Sequence, residues 1–303
     1  MHDIIIIGAG PAGLTAAIYA RRAEKSVLVL EKETFGGQIT YSPKVENYPG
    51  TISMSGNEFA EKLIDQAMNL GAQIELEEVS EIIDNGKTKT VVTDYGRHEG
   101  KAVIIAAGSK HRQLGLERED ELIGEGVSYC AVCDGAFYNK KTVAVIGGGN
   151  TALQEAVLLS ESCEKVYVVQ NLDYMTGESS LVKILESKDN VEFITGTVVT
   201  KLNGDDRLES IELKKEKNGE SSTLKVDGIF VAIGQTPEND IFKSLVDLND
   251  YGYIDSGEDC LTKTKGVFCA GDCRSKNVRQ ITTATGDGAV AAIAACRYID
   301  SLT

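Results

Sequence analysis

The chain contains no uninterrupted apolar run close to the roughly 20 residues that a bilayer-crossing helix requires. It is also short of positive charge, with 31 Lys and Arg against 46 Asp and Glu and a net charge of −15. The first shortage argues against a membrane span. The second argues against nucleic acid or anionic membranes as partners, because both select a basic footprint. Histidine is scarce: His2, His98 and His111 lie far in sequence from the only Cys-x-x-Cys. With no second such pair, a zinc site lacks its ligand spacing, and no metal is expected. The seven cysteines are odd in number and lack the spacing of a secreted disulfide framework. The N-terminus lacks the basic start and small-residue cleavage site of a signal peptide, so a cytoplasmic protein is expected. No low-complexity stretch marks a disordered linker.

What is present is ordinary in bulk and specific in its motifs. Hydrophobic residues make up 42% and charged residues 25%, as in soluble globular proteins, and 303 residues suffice for two domains. Asp3-Ile-Ile-Ile-Ile7 is the continuous apolar run of a buried parallel strand. Gly8-Ala-Gly10-Pro11-Ala12-Gly13 and a helical pattern from Leu14 follow, and Ser26-Val-Leu-Val-Leu30 closes on Glu31. Together these make a complete βαβ dinucleotide unit, more specific than glycines alone. The pattern recurs as the strand Thr142–Ile146, the turn Gly147-Gly-Gly149-Asn-Thr-Ala152, a helix to Ser160 and the strand Val166–Val169. This internal repeat predicts an α/β protein with two Rossmann-like, three-layer nucleotide-binding-type domains. Both Val103-Ile-Ile-Ala-Ala-Gly108 and Gly228-Ile-Phe-Val-Ala-Ile-Gly234 end in glycine turns suited to crossings between domains. Alternation from Thr200 to Lys225 predicts antiparallel strands on the second domain. Gly266-Val-Phe-Cys-Ala-Gly271-Asp272 and Arg279-Gln280-Ile281 lead into an alanine-rich helix, Ala289 to Ile299. The simplest layout is a discontinuous domain of residues 1–113 and 242–303, with residues 114–241 inserted.

Cys130-Ala-Val-Cys133-Asp134 lies just before the second glycine turn. Two cysteines at this spacing can close a small disulfide that opens readily, and an adjacent carboxyl can move the proton required. Alone the motif fits half a zinc site or an accident equally well. Between two dinucleotide fingerprints it reads as a redox dithiol served by a cofactor. Cys269 and Cys273 could form a second pair, although cysteines beside a cofactor loop are more often small buried residues.

Taken in order, Gly8–Gly13, Gly36-Gly37-Gln38, Glu46-Asn47-Tyr-Pro-Gly50, Cys130–Phe137, Gly271-Asp272 and Arg279-Gln280 resemble the low-molecular-weight flavoprotein thioredoxin reductases. The likeness spans essentially the whole chain. It implies an FAD domain made of both chain ends and an inserted pyridine-nucleotide-type domain carrying the cysteines. It further implies a homodimer, thioredoxin as partner and a domain rotation during turnover. FAD would be held by Gly8, Gly10, Pro11, Ala12, Gly13 and Glu31, with the pyrophosphate at a helix N-terminus. By the same resemblance Gly36, Gly37, Gln38 and Asn47 lie along the flavin. Gly271, Asp272, Arg279, Gln280 and Ile281 hold the ribityl chain and the ring. Gly50 and Gly56 also fit plain turns. In the catalytic set, Cys133 faces the flavin, Cys130 attacks the partner disulfide and Asp134 carries the proton.

One region departs from the family. NADPH-using members follow the second fingerprint with His-Arg-Arg-x-x-x-Arg, where this chain has Gln170-Asn171-Leu172-Asp173-Tyr-Met-Thr176-Gly-Glu178. A dianionic phosphate needs charge-assisted contacts, and no Lys or Arg stands between Lys165 and Lys183. The acid of an NADH site is missing too. The offset from Gly8 to Glu31, carried to Gly147, lands on Gln170, and Asp173 falls three residues late. The pattern is similar to the ferredoxin-linked branch, in which one-electron donations reduce FAD. Ferredoxins are typically acidic, so a −15 chain needs a local basic patch, for which Arg274, Lys276 and Arg279 are candidates. An NADH-dependent thioredoxin reductase and an FAD dithiol oxidase using oxygen are the alternatives. The oxidases tend to carry histidine after the second cysteine, where this chain has Asp134.

Overall fold

The computed structural model describes residues 1–42 and 44–302, which divide into two compact units. Residues 1–110 and 236–303 form the first unit, and residues 111–235 the second. The crossings anticipated after 113 and before 242 therefore fall earlier at both places, and side-chain partners explain why. Lys110 pairs with Glu33 at 2.6 Å, whereas His111 stacks on Tyr129 and meets Gln235 at 3.3 Å. On the return, Asn239 donates to the carbonyls of Gly252 and Cys273, and Phe242 is buried in the first core.

In the first unit the strands are β1 (His2–Ile7), β2 (Val27–Glu31), β3 (Gln73–Leu76), β4 (Val79–Asp84), β5 (Lys89–Thr93) and β6 (Arg97–Ile105). They lie in the order β3-β2-β1-β6-β5-β4. β1, β2, β3 and β6 are mutually parallel, and β4 and β5 extend the sheet as an antiparallel hairpin. Two-residue strands at the crossings are β7 (Lys110–His111) and, after the second unit, β16 (Gln235–Thr236). The side-chain period of two explains the apolar run in β1: both of its faces are covered. Ile4 and Ile6 pack under α1 (Pro11–Arg22) and α6 (Ile281–Asp300). Ile5 and Ile7 pack against Val79, Ile82, Val91 and Phe242. α1 begins with Pro11 in its first turn, where the missing N–H costs nothing, and ends on Arg21 and Arg22 beside its free carbonyls. α2 (Gly56–Asn69) opens on a capping box between Ser55 and Glu58.

The second unit repeats the plan with different cover. Its strands are β8 (Val127–Ser128), β9 (Thr142–Ile146), β10 (Lys165–Val169), β11 (Val191–Ile194), β12 (Thr197–Asn203), β13 (Ser210–Lys215), β14 (Ser221–Lys225) and β15 (Gly228–Val231). A parallel sheet runs β11-β10-β9-β15-β8, and β12-β13-β14 form a separate antiparallel sheet. Val143, Val145, Val166 and Phe230 pack against Leu153 and Leu159 of α4 (Asn150–Ser160) and Leu185 of α5 (Ser179–Glu186). Ala144, Ile146 and Ile229, on the other face, meet Val199, Ile211 and Leu213 of the antiparallel sheet. The chain finishes the first sheet with β17 (Val267–Cys269) against β6, then α6, which starts eight residues before the alanine-rich stretch. Among the described residues no helix is long and apolar enough to cross a membrane.

Candidate active site

α3 (Ala131–Asp134) is a single turn that holds the two cysteines a helical step apart, and Cys130 and Cys133 are joined in a disulfide. The Cys133 N–H points at Cys130 Sγ, 3.1 Å away. Both cysteines are partly exposed, and Val132 between them is 57% exposed, so the motif presents an apolar tip to a partner. Asp134 follows directly. Ser128 Oγ donates to its Oδ2 at 2.6 Å, and its Oδ1 is buried without a hydrogen-bond partner. Burial raises the Asp134 carboxyl above the ordinary aspartate range, against the opposing Ser128 hydrogen bond. An acid held in that state can give a proton to a sulfur anion and take it back.

Two residues of this site were not visible in the sequence reading. Ser128 orients Asp134, and Glu155 of α4 reaches back to accept the Ala131 N–H at 3.4 Å. Glu155 Oε2 is a second buried carboxyl oxygen with no partner. A signal for it exists: Glu155 shares a helical face with Ala152, Ala156 and Leu159, all buried, so an acid interrupts an apolar stripe.

In the first unit the glycine turn forms as its spacing demands. Gly8 has φ +106°, and a Cβ there would lie 2.3 Å from the Ala106 carbonyl oxygen. Glu31 Oε2 accepts the Ala9 N–H at 2.8 Å, while its Oε1 takes the N–H groups of Lys32 and Glu33. Gly36 donates to the Ala9 carbonyl, and Gly37 sits against Gly10. Gly271 packs on Ala12, placing Asp272 near the N-terminus of α1, which starts at Pro11, and Gly13 closes tightly on Gly8. Asn47 Nδ2 donates to Gln280 Oε1 at 3.1 Å, which joins the segment after β2 to the start of α6 at Ile281. Arg279 lies over the Tyr253 ring and approaches the Asp272 carbonyl. Gln38 is exposed, next to Gly37 in the same short helical turn.

The basic candidates divide. Arg274 is 3% exposed and grips Asp287 with two 2.8 Å bonds, and Lys276 bonds the same carboxylate. Arg274 also lies 3.6 Å from Glu258, and the Lys276 side chain is 7% exposed, so both charges are engaged by acids of the fold, while Arg279 is partly exposed. Cys260, Cys269 and Cys273 are buried, and burial pushes Cys260 up to about 12 and Cys273 up to about 11, far from a thiolate at neutral pH.

The second glycine turn copies the first in backbone. Gly147 has φ +135°, and a Cβ there would meet the Ala232 carbonyl oxygen at 2.4 Å. Its surroundings differ. Gln170 is 6% exposed and lies across Gly148, so that a Cβ on Gly148 would strike its amide at 2.5 Å. The chain then folds back: Thr176 and Gly177 donate to the Gly148 carbonyl, and the Glu178 N–H bonds Asn150 Oδ1 at 2.7 Å. Asn150 Nδ2 in turn donates to Glu178 Oε1 at 3.3 Å. The Glu178 carboxylate is thus tied to the first residue of α4, where a pyrophosphate would sit, while Gly149 has as much room as Gly10 in the first turn.

The pyridine nucleotide-disulphide oxidoreductase family matches residues 2–288, and the chain belongs to it. A thioredoxin reductase of Listeria innocua is 40% identical over 303 residues, covering 100% of this chain and 95% of the relative. A 34.2 kDa protein in the rubredoxin operon of Clostridium pasteurianum is 41% identical over 98% of this chain and 97% of its own. Among solved structures, a thioredoxin reductase from Streptococcus pyogenes superposes with a TM-score of 0.95 at 37% identity, covering 99% of each chain. Thioredoxin reductases of this family are FAD flavoproteins. The residues present fit that group. A glycine cradle lies open at Gly10, a carboxylate waits at Glu31, and the buried Asp272 Oδ1 lacks a hydrogen-bond partner.

Proposed function

We propose that the protein is an FAD-dependent thioredoxin reductase that receives its electrons from ferredoxin rather than from a pyridine nucleotide. The observation that carries the reductase reading is the Cys130–Cys133 disulfide beside the buried Asp134 carboxyl. Gly8, Gly10, Pro11, Ala12, Gly13, Glu31, Gly36, Gly37, Gln38, Asn47, Gly271, Asp272, Arg279, Gln280 and Ile281 are assigned to hold FAD. When bound, FAD supplies the conversion between single-electron and two-electron transfer that the cysteines lack.

The protein's own groups then act in order. Two electrons and one proton drawn from solvent break the Cys130–Cys133 bond and leave Cys130 as thiolate and Cys133 as thiol. Cys130 attacks one sulfur of the thioredoxin disulfide, a mixed disulfide forms, and the departing thioredoxin sulfur takes the Asp134 proton. Asp134 next removes the Cys133 proton, and Cys133 attacks Cys130 Sγ. The internal disulfide closes again and reduced thioredoxin leaves. Val132 gives the exchange an apolar contact.

The ferredoxin reading is supported by the side chains around the second turn: Gln170 stands where an acid would grip a ribose, no Lys or Arg lies between Lys165 and Lys183, and the Glu178 carboxylate engages Asn150. The clostridial relative is encoded in a rubredoxin operon, which agrees with such a donor. Anaerobic spectroscopy of the bound flavin tests the reading. Reduced ferredoxin is expected to bleach it, with NADH and NADPH inert. Rapid bleaching by stoichiometric NADH or NADPH would hand the donor role to a nicotinamide. Oxygen uptake driven by a dithiol would make the protein an oxidase. Cys130→Ser is expected to abolish thioredoxin reduction while leaving flavin reduction intact.

A further inference from the structure

The sulfur pair is flanked by two carboxyl groups, only one of which the reaction above employs. Asp134 and Glu155 each have one partnered oxygen and one buried, unpartnered oxygen. They approach α3 from different elements. Asp134 ends α3 itself, and Glu155 rises from α4 to the Ala131 amide, within the Cys-x-x-Cys turn. We propose that Glu155 is a positioning residue that acts as the proton reservoir of the dithiol, exchanging its proton with Asp134 while Asp134 exchanges with the sulfurs. The inference rests on the redox-dithiol reading and adds to it the residue that reloads the acid.

The electrostatics agree with the geometry. Burial, together with the nearby Asp134 charge, lifts the Glu155 carboxyl to about 7, against the Ala131 hydrogen bond. Two carboxylates in one buried site cannot both ionise cheaply, so the pair retains a proton where isolated carboxyls have lost theirs. Among the described residues no Lys or Arg pairs with Glu155, and Lys141, on the approach to β9, lies over the Tyr138 ring. α3 brings the cysteines and Asp134, and Tyr138 follows in the next turn. On α5, Lys183 and Glu186 are exposed; on β10, Lys165 pairs with Glu192 and lies over Tyr167. β9 carries no titratable side chain.

The proton balance closes. The first thioredoxin sulfur takes the Asp134 proton, which leaves Asp134 free to accept the proton of Cys133. The second thioredoxin sulfur takes that proton as it departs. Glu155 then passes its own to Asp134, and solvent restores Glu155. Two electrons and two protons thus leave the enzyme for each thioredoxin disulfide reduced.

The test is the pH dependence of the Cys130–Cys133 midpoint potential, set by equilibration with glutathione buffers and read by thiol alkylation. Negative charge on the reduced sulfurs raises Glu155 further, so above about pH 7 the native protein is expected to take up about one additional proton per electron pair. Glu155→Gln keeps an acceptor for the Ala131 N–H and cannot titrate, and it is expected to lose that bend. Glu155→Asp, which restores a carboxyl, is expected to recover the bend at a shifted pH. A Glu155→Gln protein with the native bend, or a Glu155→Asp bend at the native position, would overturn the proposal. A merely structural role would move the midpoint at every pH alike and leave the curve's shape unchanged. Failure of the reduced native protein to react with thioredoxin would sink the thioredoxin assignment and leave this titration untouched.

Discussion

Asp272 is the residue at which the first unit states its need for a ligand most plainly. Its Oδ1 is buried with no partner, and burial raises its carboxyl above the ordinary range against the opposing charges of Lys276 and Arg279. A stranded polar atom costs on the order of 1–3 kcal/mol unless something pairs with it. Asp272→Ala is therefore expected to weaken FAD retention by about tenfold or more on that scale. The ratio of flavin to protein absorbance after purification and dilution measures it, and full retention would remove Asp272 from the cofactor set. Cys130, Cys133 and Asp134 stood out in the sequence because they fall within five residues and their chemistry is local. Glu155 did not, because its bond to the Ala131 N–H exists only once α4 has packed against α3. Arg274 and Lys276 were misread for a related reason: sequence shows two cations, and only the fold shows Asp287 between them.

At the scale of elements, α1 and α6 meet backbone to backbone. Gly288 lies on α6 where an added Cβ would come within 2.2 Å of the Ala12 carbonyl oxygen, a backbone atom that cannot step aside. Gly288→Val should separate the helices and destabilise the fold by about 3 kcal/mol or more. Thermal unfolding would show a markedly lower midpoint; a native midpoint would mean that α6 slides freely. The strands and helices themselves were largely legible, since the Ile run of β1 and the valines of β9 and β10 betray strands covered on both faces. The ends were not. α6 begins at Ile281 because Gln280 and Thr283 cap it through side-chain bonds, a signal carried by polar residues rather than by the alanines. The crossings at 110/111 and 235/236 are likewise set by pairings of Lys110 and His111 that no local pattern announces.

At the scale of the whole molecule, the charge of −15 acts on whatever donor approaches. With Arg274 and Lys276 consumed internally, the described residues offer little local basic surface near Asp272 to offset it. Two acidic proteins repel at long range, and salt screens that repulsion over a Debye length of about 8 Å at physiological strength. The rate of flavin reduction by ferredoxin is accordingly expected to rise with ionic strength, by severalfold between dilute and physiological salt. Anaerobic stopped-flow measurement would show it, and a rate that falls with salt would reveal an attractive basic surface.

The two glycine turns carry a broader lesson. Gly8 and Gly147 face the same obstacle, a carbonyl oxygen at 2.3 and 2.4 Å from where a Cβ would stand, on Ala106 and Ala232. Each glycine is thus compelled by the strand next door, whatever lies beyond the turn. A sequence can abandon its ligand at such a place and still be unable to abandon the motif. If ferredoxin is the donor, the glycine signature in the second unit is a mark of masonry rather than of traffic. What distinguishes the two turns is the side chains around them: Glu31 bonded to the backbone in one unit, Gln170 and Glu178 beside it in the other.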